Sequence, residues 1–398
     1  MNRFLGFALF LSIAFALVGG VHYYFWARLV RDPHLSGTAR QLATGAVVAL
    51  AVLIPATMLL GRAVPAVGRV LAWPGFVWMG AMFILLVLLL GGDILRLLVA
   101  AGARLLGDAH AFDPSRRVFT ARLLGGAALG GMAGVTSAAV WMTRSHLAVK
   151  RLELTLERLP ASLDGTKLVQ LCDLHVGGLL GRPFIEKVVA TTNRLGADVI
   201  AIVGDLVDGT IEELRPVLEP LRDLRARLGV FFVTGNHEYY QRSGARAWMN
   251  EIERMGIRVL DNQHASIGDP AGSFDLAGVP DHGAASFPEE GKPPNVAQAL
   301  AGRDPSRAVV LLAHQPKTIF QAAPLGVDLQ LSGHTHGGQI WPWGALVRLQ
   351  QPFIRGLHRV DRTQLYVSCG TGFWGPPMRL GAPAEITEII LRAPRPGT

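Results

Sequence analysis

The sequence predicts an α/β domain preceded by four transmembrane helices, and three observations carry that prediction. Four stretches in the N-terminal part each run to roughly twenty residues without Asp, Glu, Lys or Arg, the length and chemistry of a bilayer-crossing helix. From about Leu147 the apolar residues fall instead into short runs separated by helical stretches. Five of those short runs lead directly into Asp, Asn or His.

The four spans are Phe4 to Trp26, Leu42 to Leu60, Trp73 to Leu90 and Leu123 to Trp141. The first comes after Arg3 as a signal peptide would, but it lacks a small-residue cleavage site and three further spans lie beyond it, so it reads as a retained anchor. Leu123 to Trp141 is rich in Gly and Ala, which lets helices approach closely in lipid. The 398 residues, 50% of them hydrophobic, therefore divide into a membrane domain over 1–145 and a second domain over 146–398.

Charge sharpens this division. Residues 1–145 hold 12 arginines and four aspartates, so the whole formal excess of +8 lies there, and residues 146–398 balance at 26 basic and 26 acidic groups. Arginines between spans set topology and meet anionic head groups of membrane lipids. Nucleic acid loses its main support as a partner. Arg28, Arg31, Arg40, Arg96, Arg104, Arg116, Arg117 and Arg122 outnumber Arg3, Arg62, Arg69, Arg144, Lys150 and Arg151 on the opposite side. By the positive-inside rule both termini lie outside, with the second domain beyond the cytoplasmic membrane. Cys172 and Cys369 read either as free core thiols or as a disulfide, and nothing in the sequence sets an oligomeric state.

In the second domain, Thr166 to Cys172, Val199 to Val203, Val230 to Val233, Ala308 to Ala313 and Val327 to Ser332 read as buried strands. Pro183 to Leu195 and Ile211 to Leu228 read as helices, the second interrupted at Pro216. Strands alternating with helices imply parallel pairing. Leu365 to Ser368 and Glu385 to Leu391 look like strands without intervening helices, which predicts a mixed sheet or a second sheet packed on the first.

The residues after each strand carry the chemistry. They are Asp173-Leu-His175, Gly204-Asp205-Leu-Val-Asp208, Gly235-Asn236-His237-Glu238, His314-Gln-Pro and Gly333-His334-Thr-His336. Singly, each has an ordinary reading as a helix cap, a turn former or a solvated loop. Together they occupy matching positions at the carboxyl ends of strands, where open α/β sheets bind ligands. Gathered carboxylates repel unless a positive charge sits among them, and mixed Asp, Asn and His donors without cysteine suit Mn, Fe or Zn.

The order D-x-H, GDxxD, GNHE, H and GHxH resembles the calcineurin-like metallophosphoesterase superfamily. "HTHGGQIW" and "LYVSCGTGFWGPPMRLGAPAEIT" resemble its bacterial membrane-associated YkuE-like and YaeI-like branch, over roughly Leu147 to Leu391. The resemblance implies a four-layer α/β/β/α metallophosphoesterase sandwich; the four spans lie outside it, and they place the chain, as an expectation, in the inner membrane of a bacterium. It also implies two divalent metal ions. Asp173, His175 and His336 would hold one, Asn236, His314 and His334 the other, and Asp205 would bridge them. Two cations about 3.5–4 Å apart can clamp a phosphoryl group and activate water. His237 would stabilise charge or protonate the leaving oxygen, and Asp208 would orient it.

Departures refine the expected substrate. Gly209 stands where phosphoprotein phosphatases of this superfamily carry a phosphate-binding Arg, so a phosphoprotein substrate is disfavoured. Glu238 stands where many relatives have Asp. His282 either lines the pocket or sits on a surface loop. Trp341, Trp343, Phe373 and Trp374 form an apolar rim for a lipid, a bilayer contact or ordinary core packing. The expected activity is hydrolysis of a phosphomonoester, phosphodiester or pyrophosphate bond in a small-molecule, lipid-linked or cell-envelope substrate. The alternatives are a cytoplasmic-face pyrophosphohydrolase of a nucleotide-linked lipid and a non-catalytic membrane-bound metal-binding module. A transporter is disfavoured because the four spans contain no ionisable group beyond His22.

Overall fold

The computed structural model describes residues 3–105, 114–269 and 271–394. They fall into two compact units, one ending at Trp141 and taking in Gly375–Met378, the other beginning at Met142 and resuming at Arg379.

The first unit contains helices α1 (Arg3–Trp26), α2 (Gly37–Ala63), α3 (Pro65–Leu105) and α4 (Pro114–Ser145), all four long and apolar enough to cross a membrane. α3 has 41 residues, about 60 Å at 1.5 Å per residue, so it continues past the expected Trp73–Leu90 span and carries Asp93, Arg96 and Arg104. Asp93 is neutralised where it stands. Arg28 Nε lies 2.9 Å from its carboxylate and Tyr24 OH donates to it at 2.7 Å. His22 is also satisfied, with Nδ1 2.8 Å from the Val18 carbonyl and Nε2 accepting from Trp78 Nε1 at 3.1 Å. An apolar cluster of Phe25, Leu85, Leu89 and Ala128 holds this part together.

The second unit is built on two six-stranded sheets. β1 (Leu147–Thr155), β2 (Thr166–Leu171), β3 (Val199–Val203), β4 (Val230–Val233), β5 (Arg258–Val259) and the late strand β12 (Ala384–Arg392) form the first, in the order β1-β12-β2-β3-β4-β5. β2 to β5 are parallel, and β12 runs antiparallel to β2. β6 (Gln263–Asp269), β7 (Gly272–Gly278), β8 (Val309–Leu312), β9 (Leu329–Ser332), β10 (Gly356–Val360) and β11 (Thr363–Val367) form the second, in the order β10-β11-β9-β8-β7-β6. Its four inner strands are parallel and its two edge strands antiparallel. This is the mixed, two-sheet arrangement expected from the helix-free tail.

Alternation along the strands explains the layering, because successive side chains point to opposite faces. Leu168, Val199 and Phe231 of the first sheet and Phe274, Val310 and Leu331 of the second share one buried core between the sheets. Val169, Ile200 and Phe232 face the other way, onto Ile185, Leu218 and Trp248 of helices α5 (Arg182–Arg194), α6 (Ile211–Leu218) and α8 (Ala245–Arg254). The one-turn helix α7 (Asn236–Tyr240) comes directly after β4. Val309 and Leu311 face Ala299 and Ala322 of the short helices α9 (Val296–Ala299) and α10 (Ile319–Ala322). Helix, sheet, sheet, helix is the expected four-layer α/β/β/α sandwich. Truncating one central residue, such as Leu331, to alanine would cost about 2–5 kcal/mol by the cavity it leaves.

The expected helix Ile211–Leu228 stops earlier, at Leu218, and gives way to a 3-10 turn over Glu219–Asp223. Pro220 has no N–H to return to the carbonyl four residues back. That carbonyl, on Pro216, instead accepts from Arg182 Nη1 at 2.8 Å.

Candidate metal centre

The parallel strands of both sheets end at one edge, and the loops leaving them keep pairing. Asp173 N donates to Gly204 O, His175 N to Asp205 O, and Asp208 N to Val176 O, so the loops after β2 and β3 run side by side. Asp205 and His314, which lie just past strands of different sheets, approach to 3.1 Å between Oδ2 and Nε2.

Three groups of donor atoms gather there, two of which share no residue. One nitrogen or carboxylate oxygen from each of Asp173, His175 and His336 lies within 4.8 Å of the others, and the same holds for Asp205, His314 and His334. Within the first set His175 Nε2 and His336 Nε2 are 3.1 Å apart, and His336 Nε2 is 3.7 Å from Asp173 Oδ1. His175 Nε2 is also 3.7 Å from Asp205 Oδ2, which brings Asp205 next to both sets. Asn236 opens α7 beside Asp205, whose Oδ1 accepts from His237 N at 2.9 Å.

The backbone at these positions is strained. Asp173, His175, Asp205, His334 and His336 all have φ between 47° and 70°, a region that side-chain-bearing residues occupy only when their surroundings impose it. Part of that imposition is close packing. A Cβ on Gly333 would stand 2.8 Å from Cys172 Sγ and closer still to the Asp173 carboxylate, so only glycine lets the loop carrying His334 pass Asp173. His334 N then donates to Asp173 Oδ1 at 2.9 Å.

The donor chemistry fits divalent cations. Burial, reinforced by the charge on His314, holds His334 down to about 3; burial, His175 and Arg379 hold His336 well below its ordinary value. Both imidazoles therefore present lone pairs. Burial raises the Asp173 carboxyl, whereas for Asp205 the charges of His314, His237 and His175 outweigh burial and hold it well below the usual carboxylate range. Asn236 Oδ1 is buried without a hydrogen-bond partner among the described residues. His314 Nδ1 is occupied by the Val203 carbonyl at 2.8 Å, leaving Nε2 as the atom that faces the centre. An orphaned amide oxygen beside an ionised carboxylate is what a cation would satisfy.

His237 lies in neither of these two sets, and with His175 and Asp208 it makes up the third group. Its Nδ1 is 2.5 Å from Asp208 Oδ1, and Asp208 Oδ2 is 3.1 Å from His175 Nδ1, so one carboxylate holds both rings. The His237 and His175 ring centroids are 4.5 Å apart. Burial works to lower the His237 pKa, but the charges of Asp205 and Asp208 outweigh it and raise it to about 9. Two exposed rings flank this imidazole, Tyr240 at 5.6 Å and Trp374 at 5.8 Å.

The remaining expected positions sort by location. Glu238 is fully buried and accepts from the backbone N–H groups of Asp205, Leu206, Val207 and Gly235, so it braces the Asp205 loop from below. His282 joins neither donor set and sits half-buried, 3.2 Å from Thr318 Oγ1. Phe373 is core, whereas Trp341, Trp343 and Trp374 are exposed. Cys172 and Cys369 are buried free thiols.

Two further strand ends reach this edge, that of β7, which was not read from sequence, and that of β11, read there as Leu365 to Ser368 but without a role for the residues after it. β7 leads to Asp281, buried and accepting from Gln315 Nε2 at 3.0 Å. β11 leads to Cys369–Gly372, whose Thr371 N and Gly372 N donate to the carbonyls of Cys172 and Asp173. Apolar strands running into Val-Pro-Asp and Cys-Gly-Thr-Gly are the signals for these two positions.

Comparison with known proteins agrees with this geometry. The sequence profile of the calcineurin-like phosphoesterase family matches residues 166–338. A zebrafish transmembrane protein with metallophosphoesterase domain is 42% identical over 246 residues, 60% of this chain and 56% of that protein. An uncharacterised metallophosphoesterase of Aquifex aeolicus is 32% identical over 253 residues, 62% of this chain and 92% of that protein. The uncharacterised metallophosphoesterase YkuE of Bacillus subtilis is 28% identical over 291 residues, 70% of this chain and 98% of that protein. The chain thus spans little more than half of the zebrafish relative.

Proposed function

This chain belongs to the calcineurin-like metallophosphoesterase family, and on that premise we propose that it hydrolyses a phosphomonoester, phosphodiester or pyrophosphate bond with the help of two divalent cations, Mn, Fe or Zn. Asp173, His175 and His336 would hold one, Asn236, His314 and His334 the other, with Asp205 shared between them. Bound there, the cations would supply positive charge for the phosphoryl oxygens and acidify a water.

The chain's own residues supply the proton chemistry. Asp208 fixes His237 through Nδ1, which leaves Nε2 as the nitrogen free to act. In the metal-free site the charges of Asp205 and Asp208 outweigh burial and raise the His237 pKa to about 9, and a ring that carries a proton at Nε2 would give it to the departing oxygen. Asp208 remains ionised because the charges of His175 and His237 outweigh its burial. The observation that carries the proposal is this joint: a single carboxylate ties a donor-set histidine, His175, to a histidine outside both sets, His237.

The exposed rings of Tyr240 and Trp374 beside His237 favour a leaving group with an apolar or planar part. With four candidate membrane spans in the same chain, a lipid-linked or cell-envelope substrate fits best, in the inner membrane of a bacterium with the second unit on the extracytoplasmic side. The test is hydrolysis by the full chain in detergent of monoester, diester and pyrophosphate-linked lipids, after chelation and after adding back Mn, Fe or Zn. Turnover that returns only with metal supports the proposal; turnover unaffected by chelation overturns it. Protease accessibility of the second unit in sealed vesicles separates the extracytoplasmic reading from a cytoplasmic-face pyrophosphohydrolase.

A further inference from the structure

We infer that Arg379 is a positioning residue for the cation held by Asp173, His175 and His336, an inference that rests on the two-cation reading above. Arg379 is 1% exposed, and among the described residues its guanidinium reaches main-chain carbonyls and one side-chain atom, His336 Nδ1. Nε reaches Gly372 O at 3.0 Å, and Nη1 reaches Cys369 O at 2.8 Å, Ala382 O at 2.9 Å and His336 O at 3.4 Å. Nη2 reaches Gly370 O at 3.3 Å and also Gly372 O. A buried cation is costly unless its donors are fully used, and a fan of carbonyls does this here without a carboxylate partner.

What the fan joins is informative. Gly370 and Gly372 belong to the loop after β11, which presses on the first donor: a Cβ on Gly370 would stand 3.0 Å from Asp173 Cβ, and Gly372 N donates to Asp173 O at 2.9 Å. His336, the third donor, is held directly through its carbonyl, with its Nδ1 3.5 Å from Nη2. Asp173 and His336 both sit at φ 50°, a conformation their surroundings must hold in place. One guanidinium thus ties together the backbone of two of the three donors. The second set has no comparable link to Arg379: none of the carbonyls it reaches belongs to Asn236, His314 or His334.

Lysine keeps the charge but cannot reproduce a planar fan, and methionine keeps only the volume. The experiment uses the full chain in detergent, chelated and titrated with Mn, with cations counted by mass spectrometry and folding monitored by thermal unfolding. Arg379→Lys and Arg379→Met should each bind one cation about 10- to 100-fold more weakly while the other binds as in the wild type, the range seen when residues behind a metal ligand are removed. In a His336→Ala background, Arg379→Met should have no further effect on the remaining cation. Two cations bound at wild-type affinity in both variants would overturn the inference. So would equal weakening of both cations, or loss of cooperative unfolding in both variants, since either marks general support of the fold. A wild-type chain binding fewer than two cations overturns the two-cation reading itself.

Discussion

Asp208 holds His237 by a 2.5 Å contact between Oδ1 and Nδ1. The same carboxylate reaches His175 with its other oxygen, so His237 and the donor set of His175 are positioned by one side chain rather than independently.

The first consequence is a titration. In the chelated protein the His237 imidazole should stay protonated to about pH 9, read by nuclear magnetic resonance of labelled histidine, and Asp208→Asn should move the midpoint down toward the ordinary value of about 6.5. Because the folded-state pKa is raised, the stability this contact supplies is fully present below about pH 6.5 and is lost as pH rises through about 9. The stability difference between wild type and Asp208→Asn should shrink across that window.

His237 itself should be separable from cation binding. His237→Ala is expected to slow turnover by about 10²- to 10⁴-fold, the usual worth of a positioned acid or base, with both cations retained. Mass-spectrometric counting beside kinetics checks this, and loss of a cation would recast His237 as a ligand.

Glu238 makes a prediction about stability. Its carboxylate accepts four backbone N–H groups around Gly235 and Asp205–Val207. Glu238→Ala leaves those donors buried and unpaired, at about 1–3 kcal/mol for each that water cannot reach. Denaturant unfolding should show a loss of about 2 kcal/mol or more.

The Trp374 ring stands 5.8 Å from that of His237. Trp374→Ala should raise KM for an aryl phosphodiester roughly 2- to 10-fold, the worth of one aromatic contact, while kcat and both cations are unchanged.

The sequence was most legible where chain chemistry is local. β2, β3, β4, β8 and β9 are apolar runs cut off by Gly, Asp, Asn or His, so the strands and the polar residues at their ends could be read together. The hairpin of β6 and β7 was not read, because "QHASIGD" and "GSFDLAG" mix small and polar residues and gain their strand character only from pairing with each other and with β8. Asp281, at the end of β7, was hidden with it. Arg379 was hidden for a different reason. An arginine in a Gly- and Pro-rich stretch reads as solvated, and its burial depends on carbonyls from Cys369–Gly372 and His336, which only the folded chain brings together. Pro220 was visible in sequence, whereas the contact of Arg182 with the Pro216 carbonyl was not.

The central claim is that Asp205 unites two cation sites in one catalytic centre. The most direct measurement is the number of cations bound per chain, taken alongside phosphodiester hydrolysis, for wild type and Asp205→Asn. Two cations and metal-dependent turnover in the wild type, with loss of at least one cation and of nearly all turnover in Asp205→Asn, is the predicted result. Turnover that survives both chelation and Asp205→Asn would contradict it.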